Sequence, residues 1–146
     1  MQIKITDFDF SDKKLFQKAL QIRTIVFVQE QKVPKNLEYD GLDGQAKHFL
    51  LFFNDKPIAT SRYRITNEGY KLERFAVLKE YRGKHFGKKL LEYILNYVPD
   101  KTNVYFNSQV SAVDFYERNG FVTVGQVFYE ADIKHYKMVW QEKKIL

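Results

Sequence analysis

The 146-residue chain contains no cysteine. Disulfides, thiolate metal sites and a cysteine-borne covalent intermediate are therefore excluded, and the chain suits a reducing compartment. Only 3 prolines and 7 glycines are present. No low-complexity stretch or internal repeat accompanies them, so nothing marks a linker and one domain over 1–146 is expected. No apolar run approaches membrane-spanning length, and Met1-Gln2-Ile3-Lys4-Ile5 lacks the basic-then-apolar layout of a signal segment. These features point to a cytoplasmic protein without a membrane partner. His48, His85 and His135 share no ligand-like spacing with carboxylates, so no metal is expected and they read as scattered structural or surface residues. A Walker-type Gly-Lys-Ser/Thr is missing, as is the Gly-x-Ser-x-Gly of serine hydrolases.

What is abundant is apolar and aromatic: 45% hydrophobic and 16% aromatic residues, with 10 tyrosines and 13 phenylalanines. That composition argues for a packed core and against disorder. The formal charge is +6. Basic residues gather around 79–89 and again at Lys134, Lys137, Lys143 and Lys144. A nucleic-acid partner would suit such charge, but no arginine-rich run, zinc-finger spacing or RNA-stacking aromatic signature supports one. A small polyanion near one turn fits at least as well, and no nucleic acid is expected.

Gln2 to Thr6 alternates as a short strand. Ser11 could cap a helix carried by Leu15, Ala19, Ile22 and Val26, although Thr24-Ile25-Val26-Phe27-Val28 is β-branched enough to be strand. Pro34 to Gly44 reads as loop. Strands over 47–53 and 57–66 flank the turn Asn54-Asp55-Lys56, and Asn67-Glu68-Gly69 leads into a strand over 70–78. Phe86, Leu90, Ile94 and Leu95 mark a helix ending before Pro99. Val104-Tyr105-Phe106 is a strand, Ser111 to Asn119 a short helix closed by Gly120, and 121–129 and 135–140 are closing strands. Antiparallel strands followed by strand–helix–strand–helix give a mixed α/β domain with one central sheet.

The most informative stretch is Leu72-Glu73-Arg74-Phe75-Ala76-Val77 followed by Arg82-Gly83-Lys84-His85-Phe86-Gly87-Lys88-Lys89. A buried strand runs into a basic, glycine-containing turn and then into a helix. Exposed N–H groups at a helix N-terminus, ringed by cations, cradle an anion such as a pyrophosphate. Arg82 to Gly87 resembles the Arg/Gln-x-x-Gly-x-Gly/Ala turn of the GNAT N-acetyltransferases. Ala112-Val113-Asp114-Phe115-Tyr116-Glu117-Arg118-Asn119-Gly120-Phe121 is similar to that superfamily's Ala-x-x-Phe-Tyr-x-x-x-Gly-Phe segment. Either motif alone is weak; both together, in this order, are specific. Arg23-x-x-x-Phe27-Val28-x-Glu30-Gln31, Glu38-x-Asp40, and His135 with Met138 resemble the bacterial ElaA-like and YjcF-like subgroup. Two departures stand out. His85 occupies the position of the turn's first glycine, and Gln109, with Asn107 nearby, stands where the superfamily often has Asn.

The resemblance implies a GNAT fold, with a mostly antiparallel mixed sheet flanked by helices on both faces, and an N-acetyltransferase acting with acetyl-coenzyme A. It implies that Arg82, Gly83, Lys84, His85, Phe86, Gly87 and Lys88 hold the pyrophosphate. Phe75, Ala76 and Val77, with Asn107 and Gln109, would meet the pantetheine arm, and backbone N–H groups around Phe75-Ala76-Val77 would supply a donor to the thioester oxygen. The acceptor would be a small-molecule primary amine attacking directly in a ternary complex. Arg23, Glu30, Gln31 and Tyr39 would line its pocket, or else form a solvated helix face. With a reference pKa near ~10.4, a lysine-like amine is about 99.9% protonated at pH 7, so a base is needed. Glu73 is the candidate, an even number of residues from Val77 and so on the same strand face; a strand glutamate paired with a neighbouring cation is the alternative. Glu30 is its rival. Tyr116 matches the general-acid tyrosine, with a core aromatic as the alternative. Glu30, Glu38, Asp40 and Asp43 together would favour a cationic acceptor. The resemblance also allows a homodimer through the closing strands. A non-catalytic acyl-coenzyme A binding module and a basic nucleic-acid-binding domain are the competing readings.

Overall fold

A computed structural model describes residues 2–141. Lys143 and Lys144 of the basic tail lie outside the described residues. Seven strands form one sheet: β1 (Ile3–Asp9), β2 (Ala46–Phe53), β3 (Lys56–Thr66), β4 (Gly69–Val77), β5 (Val104–Gln109), β6 (Phe121–Glu130) and β7 (Ile133–Trp140). Their order is β1-β2-β3-β4-β5-β7-β6. Every pairing is antiparallel except β4 with β5. Four helices connect them: α1 (Lys13–Arg23), α2 (Lys35–Glu38), α3 (Phe86–Tyr97) and α4 (Val113–Glu117).

The helices cover both faces because β2 is apolar on both. His48 turns towards α1, stacking on Phe8 and meeting Phe16 edge-on, while Phe49 turns the other way, onto Tyr93 and Tyr97 of α3. Successive strand residues face opposite sides, so a strand enclosed by two helix layers loses its polar alternation. Between these layers Phe49, Leu50, Leu51, Ile58, Ala59, Leu90, Leu91 and Ile94 are fully buried.

Several local expectations shift by a turn or less. The α1 cap is Asp12, whose side chain accepts from Leu15 N at 3.2 Å; Ser11 lies one residue too early. The β-branched run after α1 is neither strand nor α-helix. Thr24–Glu30 winds as a π-helical segment, with Gln31 N donating to Val26 O. Thr24 also donates its hydroxyl to Leu20 O, the back-bonding by which threonine perturbs a helix ladder. Within the expected loop, α2 forms a single turn.

Two irregularities in β4 make the site. Its parallel pairing with β5 covers only Tyr70 with Val104 and Lys71 with Tyr105. Beyond that, β4 follows β3 while β5 follows β7, and the two strands part. Gly69 permits the close start of this pairing: at φ +136° its missing Cβ would collide with the Asn103 carbonyl. The second irregularity is a bulge. Thr60 pairs with Ala76 but Arg62 with Glu73, so β4 carries one extra residue, and Arg74 sits there at φ 56°. A bulge bends its strand and leaves one residue outside the ladder.

Candidate active site

The parting of β4 and β5 opens a cavity of about 740 Å³. Its walls bring together Glu73, Arg74 and Phe75 from β4, Phe106 to Gln109 from β5, and Tyr116 from α4. Gln31, Leu37, Glu38 and Asp40 close it from the segment after the π-helical turn, and Glu130, Ile133 and His135 from the β6–β7 hairpin. Gln109 Nε2 donates to Gln31 Oε1 at 2.7 Å, tying β5 to the end of the π-helical segment.

Tyr116 is 7% exposed and boxed by aromatic rings: Phe106 at 4.3 Å, Phe115 at 5.0 Å and Phe75 at 6.0 Å between centroids. Burial alone pushes its phenol well above the ordinary tyrosine value. The hydroxyl is thus a proton donor at neutral pH, not a phenolate.

Glu73 also lines the cavity, but its carboxylate is not free. Arg64 donates from Nε at 2.7 Å and from Nη2 at 3.1 Å, Arg62 donates from Nε at 3.3 Å, and Lys71 Nζ lies 3.7 Å away. Burial would raise the Glu73 pKa; the Arg64 hydrogen bond and the charges of Arg62, Arg64 and Lys71 outweigh it and hold the carboxyl below its ordinary value. A depressed carboxylate is a weaker proton acceptor. The bulge at Arg74 also breaks the alternation on which a shared face for Glu73 and Val77 rested; Glu73 lines the cavity and Val77 packs beside Gly87.

Glu73 belongs to a network that the sequence did not foretell. Arg62, 1% exposed, donates to Asp40 and to Asp43 at 2.6 Å each. Arg23, equally buried, holds Glu38 and Asp43. From the bulge, Arg74 Nη2 donates to the carbonyls of Leu37 and Glu38 and to Asp40, each at 3.2 Å. Its Nε lies 2.7 Å from Glu38 as an ion-pair contact without hydrogen-bond alignment. The side chain of the bulged residue therefore anchors the segment carrying α2 over the cavity. Burial would raise the Asp40 pKa, but the Arg62 and Leu42 hydrogen bonds and the charges of Arg62 and Arg74 bring it to about 2. Glu38 moves the other way: burial pushes its carboxyl up against the opposing pull of Arg23 and Arg74.

This pairing corrects the expectation of an acidic pocket suited to a cationic acceptor. Glu30 pairs with Arg82, Glu38 with Arg23 and Arg74, Asp40 with Arg62 and Arg74, and Asp43 with Arg23 and Arg62. Each carboxylate is neutralised before a ligand arrives. Of the expected acceptor residues, Gln31 reaches the cavity wall. Arg23 lies buried behind Glu38, Glu30 grips Arg82, and Tyr39 turns its hydroxyl to Thr24 Oγ1 at 2.7 Å.

The network has an acid signature. Asp40, Asp43 and Glu73 have folded pKa values below their ordinary 3.8, 3.8 and 4.5. Their stabilisation is complete above those values and is lost as pH falls through the lower folded ones. Glu38, raised, contributes with the opposite sign. The urea midpoint is therefore expected to hold near neutrality and to fall steadily below about pH 4.5, as fluorescence-monitored unfolding at a series of pH values would record.

At the far end of β4, the turn 82–85 has left-handed backbone at Gly83 and at His85, with φ 74° and 68°. His85 precedes α3 without a side-chain cap, leaving the first-turn N–H groups of Phe86, Gly87 and Lys88 outward. Gly83, Lys84, His85 and Lys88 are exposed there. No Cβ neighbour crowds Gly83, so the cradle is open. Arg82 lines the cavity, but its guanidinium is committed to Glu30 at 2.6 and 2.8 Å while Nε donates to Val77 O. Phe86 and Ala76 are buried in the core.

A family model described as an acetyltransferase (GNAT) domain matches residues 9–142. The chain belongs to the GNAT acetyltransferase family. It is 32% identical to the uncharacterized N-acetyltransferase YjcF of Bacillus subtilis, over 83% of this chain and 89% of that one. It is 33% identical to ElaA of Escherichia coli, over 82% of each. The crystal structure of Escherichia coli ElaA superposes with a TM-score of 0.82, covering 96% of this chain and all of that one at 31% identity. An acyl-CoA N-acyltransferase from Pseudomonas aeruginosa gives a TM-score of 0.83 at 30% identity over 96% of this chain and 100% of that one. The chain is thus an acyltransferase of GNAT type, with a mixed, mostly antiparallel sheet. Among the cavity residues, Arg64, Lys71, Arg74, Glu130 and His135 were not functional candidates from the sequence, nor was Arg62 behind them. His135 had left a trace in the subgroup pattern with Met138, and Arg74 in the informative strand Leu72-Glu73-Arg74.

Proposed function

We propose that this protein transfers the acetyl group of acetyl-coenzyme A to the primary amine of a small molecule, in the cytoplasm and through a ternary complex. The observation that carries the proposal is the cavity opened where β4 and β5 part, lined by both the buried Tyr116 and Arg82 of the turn that leads into α3. The donor supplies an activated acetyl group. Gly83, Lys84, His85, Phe86, Gly87 and Lys88 would hold its pyrophosphate through N–H groups and lysine charge. Arg82 would brace the turn through Glu30, and Phe75, Ala76, Val77, Asn107 and Gln109 would border the arm. Donors on the β4 backbone would stabilise negative charge developing on the thioester oxygen, a contribution of about 3 kcal/mol for one well-placed group. Tyr116 would protonate the departing sulfur. Glu73 as the proton acceptor has less support, since two arginines occupy it; its geometry favours holding the cavity wall.

The paired carboxylates make a cavity near charge balance, so the acceptor is selected by shape and hydrogen bonding, with Gln31 on its wall. A thermal-shift series with acetyl-coenzyme A, coenzyme A, ATP and NAD tests the reading. At about 100 times the dissociation constant a bound ligand adds about 2.7 kcal/mol, a rise of several degrees. The expected result is a shift with the two coenzyme A ligands alone, followed by thiol release on screening amines. No shift with either would overturn the proposal.

A further inference from the structure

The proton of the incoming ammonium still needs a destination, and the cavity's carboxylates are poorly placed to provide it. Glu73 is clamped by Arg62 and Arg64, Asp40 by Arg62 and Arg74, and Glu38 by Arg23 and Arg74. On the opposite wall, the β6–β7 hairpin presents a different group. Its turn residues Ala131 and Asp132 have φ 50° and 61°, the paired positive values of a tight two-residue turn, so Glu130 pairs with Ile133 and Phe128 with His135. Glu130 and His135 are therefore diagonal neighbours on one face. His135 is 7% exposed, stacked on Phe128 at 5.9 Å, and lines the cavity.

Its tautomer follows from its partner. Nδ1 lies 2.7 Å from the Ile133 carbonyl oxygen, which can only accept, so Nδ1 carries a hydrogen. In the neutral ring the lone pair is then on Nε2, and Glu130 Oε2 lies 3.7 Å from that atom, ready to stabilise the imidazolium.

We propose that His135 is the proton acceptor for the amine, with Glu130 as its positioning partner; this rests on the acetyltransferase reading above. One proton passes from the acceptor's ammonium to Nε2. The freed amine nitrogen forms the C–N bond, the C–S bond breaks with its electron pair on sulfur, and the Tyr116 hydroxyl protonates that sulfur. The second proton of the attacking nitrogen restores Tyr116, and the imidazolium releases its proton to water. The other charged groups facing the cavity are Glu38, Asp40 and Glu73 with Arg64, Lys71, Arg74 and Arg82, each held in the ion pairs described.

The test uses bromoacetyl-coenzyme A, because a chain without cysteine lacks the most reactive competing nucleophile. Alkylation would join Nε2 to the methylene carbon that carried bromine, with loss of bromide and the thioester intact, and peptide mass mapping would locate it. Labelling of His135, prevented by acetyl-coenzyme A and absent in His135→Asn, is expected. Asn retains an N–H for the Ile133 carbonyl but has no basic nitrogen, so the variant should keep the acetyl-coenzyme A thermal shift. With an amine found in the screen, it should lose about 10²–10⁴-fold in kcat. Glu130→Gln, a change at an exposed side chain 3.7 Å from Nε2, should slow labelling of His135 while leaving the acetyl-coenzyme A thermal shift unchanged. A normal thermal shift with labelling elsewhere, or His135→Asn turning over like wild type while Glu73→Gln is slow, would overturn the His135 assignment alone. Absence of any acetyl-coenzyme A binding would overturn the underlying reading as well.

Discussion

Tyr116→Phe is expected to lower turnover about 10²–10⁴-fold, the usual worth of a positioned general acid, while leaving acetyl-coenzyme A binding intact. The substitution removes one oxygen from a ring already enclosed by Phe75, Phe106, Phe115 and Phe121. Phenylalanine keeps that packing, so the fold should not move. Burial is the whole cause of the raised phenol pKa, with no ion pair at the hydroxyl to be broken. The loss should therefore fall on kcat and on kcat/KM about equally, the pattern of an interaction made only in the transition state. Steady-state kinetics with thermal shifts measured alongside would check it. Turnover like wild type would return Tyr116 to the core aromatics.

The contrast between Tyr116 and Glu73 shows what a sequence can carry. The place of Tyr116 on α4 was legible because α4 is a short local unit whose flanking residues, Ala112 to Phe121, specify it in one run. The β4–turn–α3 connection was legible for the same reason: Gly83, Phe86 and Gly87 each meet a local demand of backbone or packing. Glu73 sits in an equally recognisable strand, yet its chemistry depends on Arg62 and Arg64, which reach it through the β3–β4 register. That register contains a bulge at Arg74, a bulky residue at positive φ, which strand alternation gives no reason to expect. The bulge is held in turn by Arg74's bonds to residues 37–40, far away in sequence. The π-helical Thr24–Glu30 was ambiguous because β-branched residues favour strand while their position continues α1. Its last residue, Glu30, pairs with Arg82, again a distant partner. Elements whose causes are local were readable. Those stabilised by pairing across the fold were not, and the electrostatics of the cavity belongs wholly to the second kind.

Arg62→Leu is expected to cost about 3–5 kcal/mol, because it breaks a buried ion network from the middle. Arg62 is 1% exposed and makes four hydrogen bonds to Asp40, Asp43 and Glu73. Its partners keep other cations: Arg74 for Asp40, Arg23 for Asp43, and Arg64 for Glu73. Formal charge would thus stay near balance, and the penalty comes from the four charge-assisted hydrogen bonds lost, although each carboxylate oxygen keeps one other donor. Leucine fills much of the volume but supplies none of them. For a chain of this size the cost corresponds to a midpoint lower by roughly 6–20 °C, measurable by calorimetry without ligand. The same variant separates network from cavity. Asp40 and Glu38 would lose part of the frame that aligns them with Arg74, so the segment over the cavity should loosen and backbone amides of residues 35–43 should exchange faster. Slow exchange there together with an unchanged midpoint would show that Arg74 and Arg23 hold the segment without Arg62. If both change together, the arginines of β3 hold the segment over the cavity in place, and the ion pairing of Glu73 is part of that scaffold.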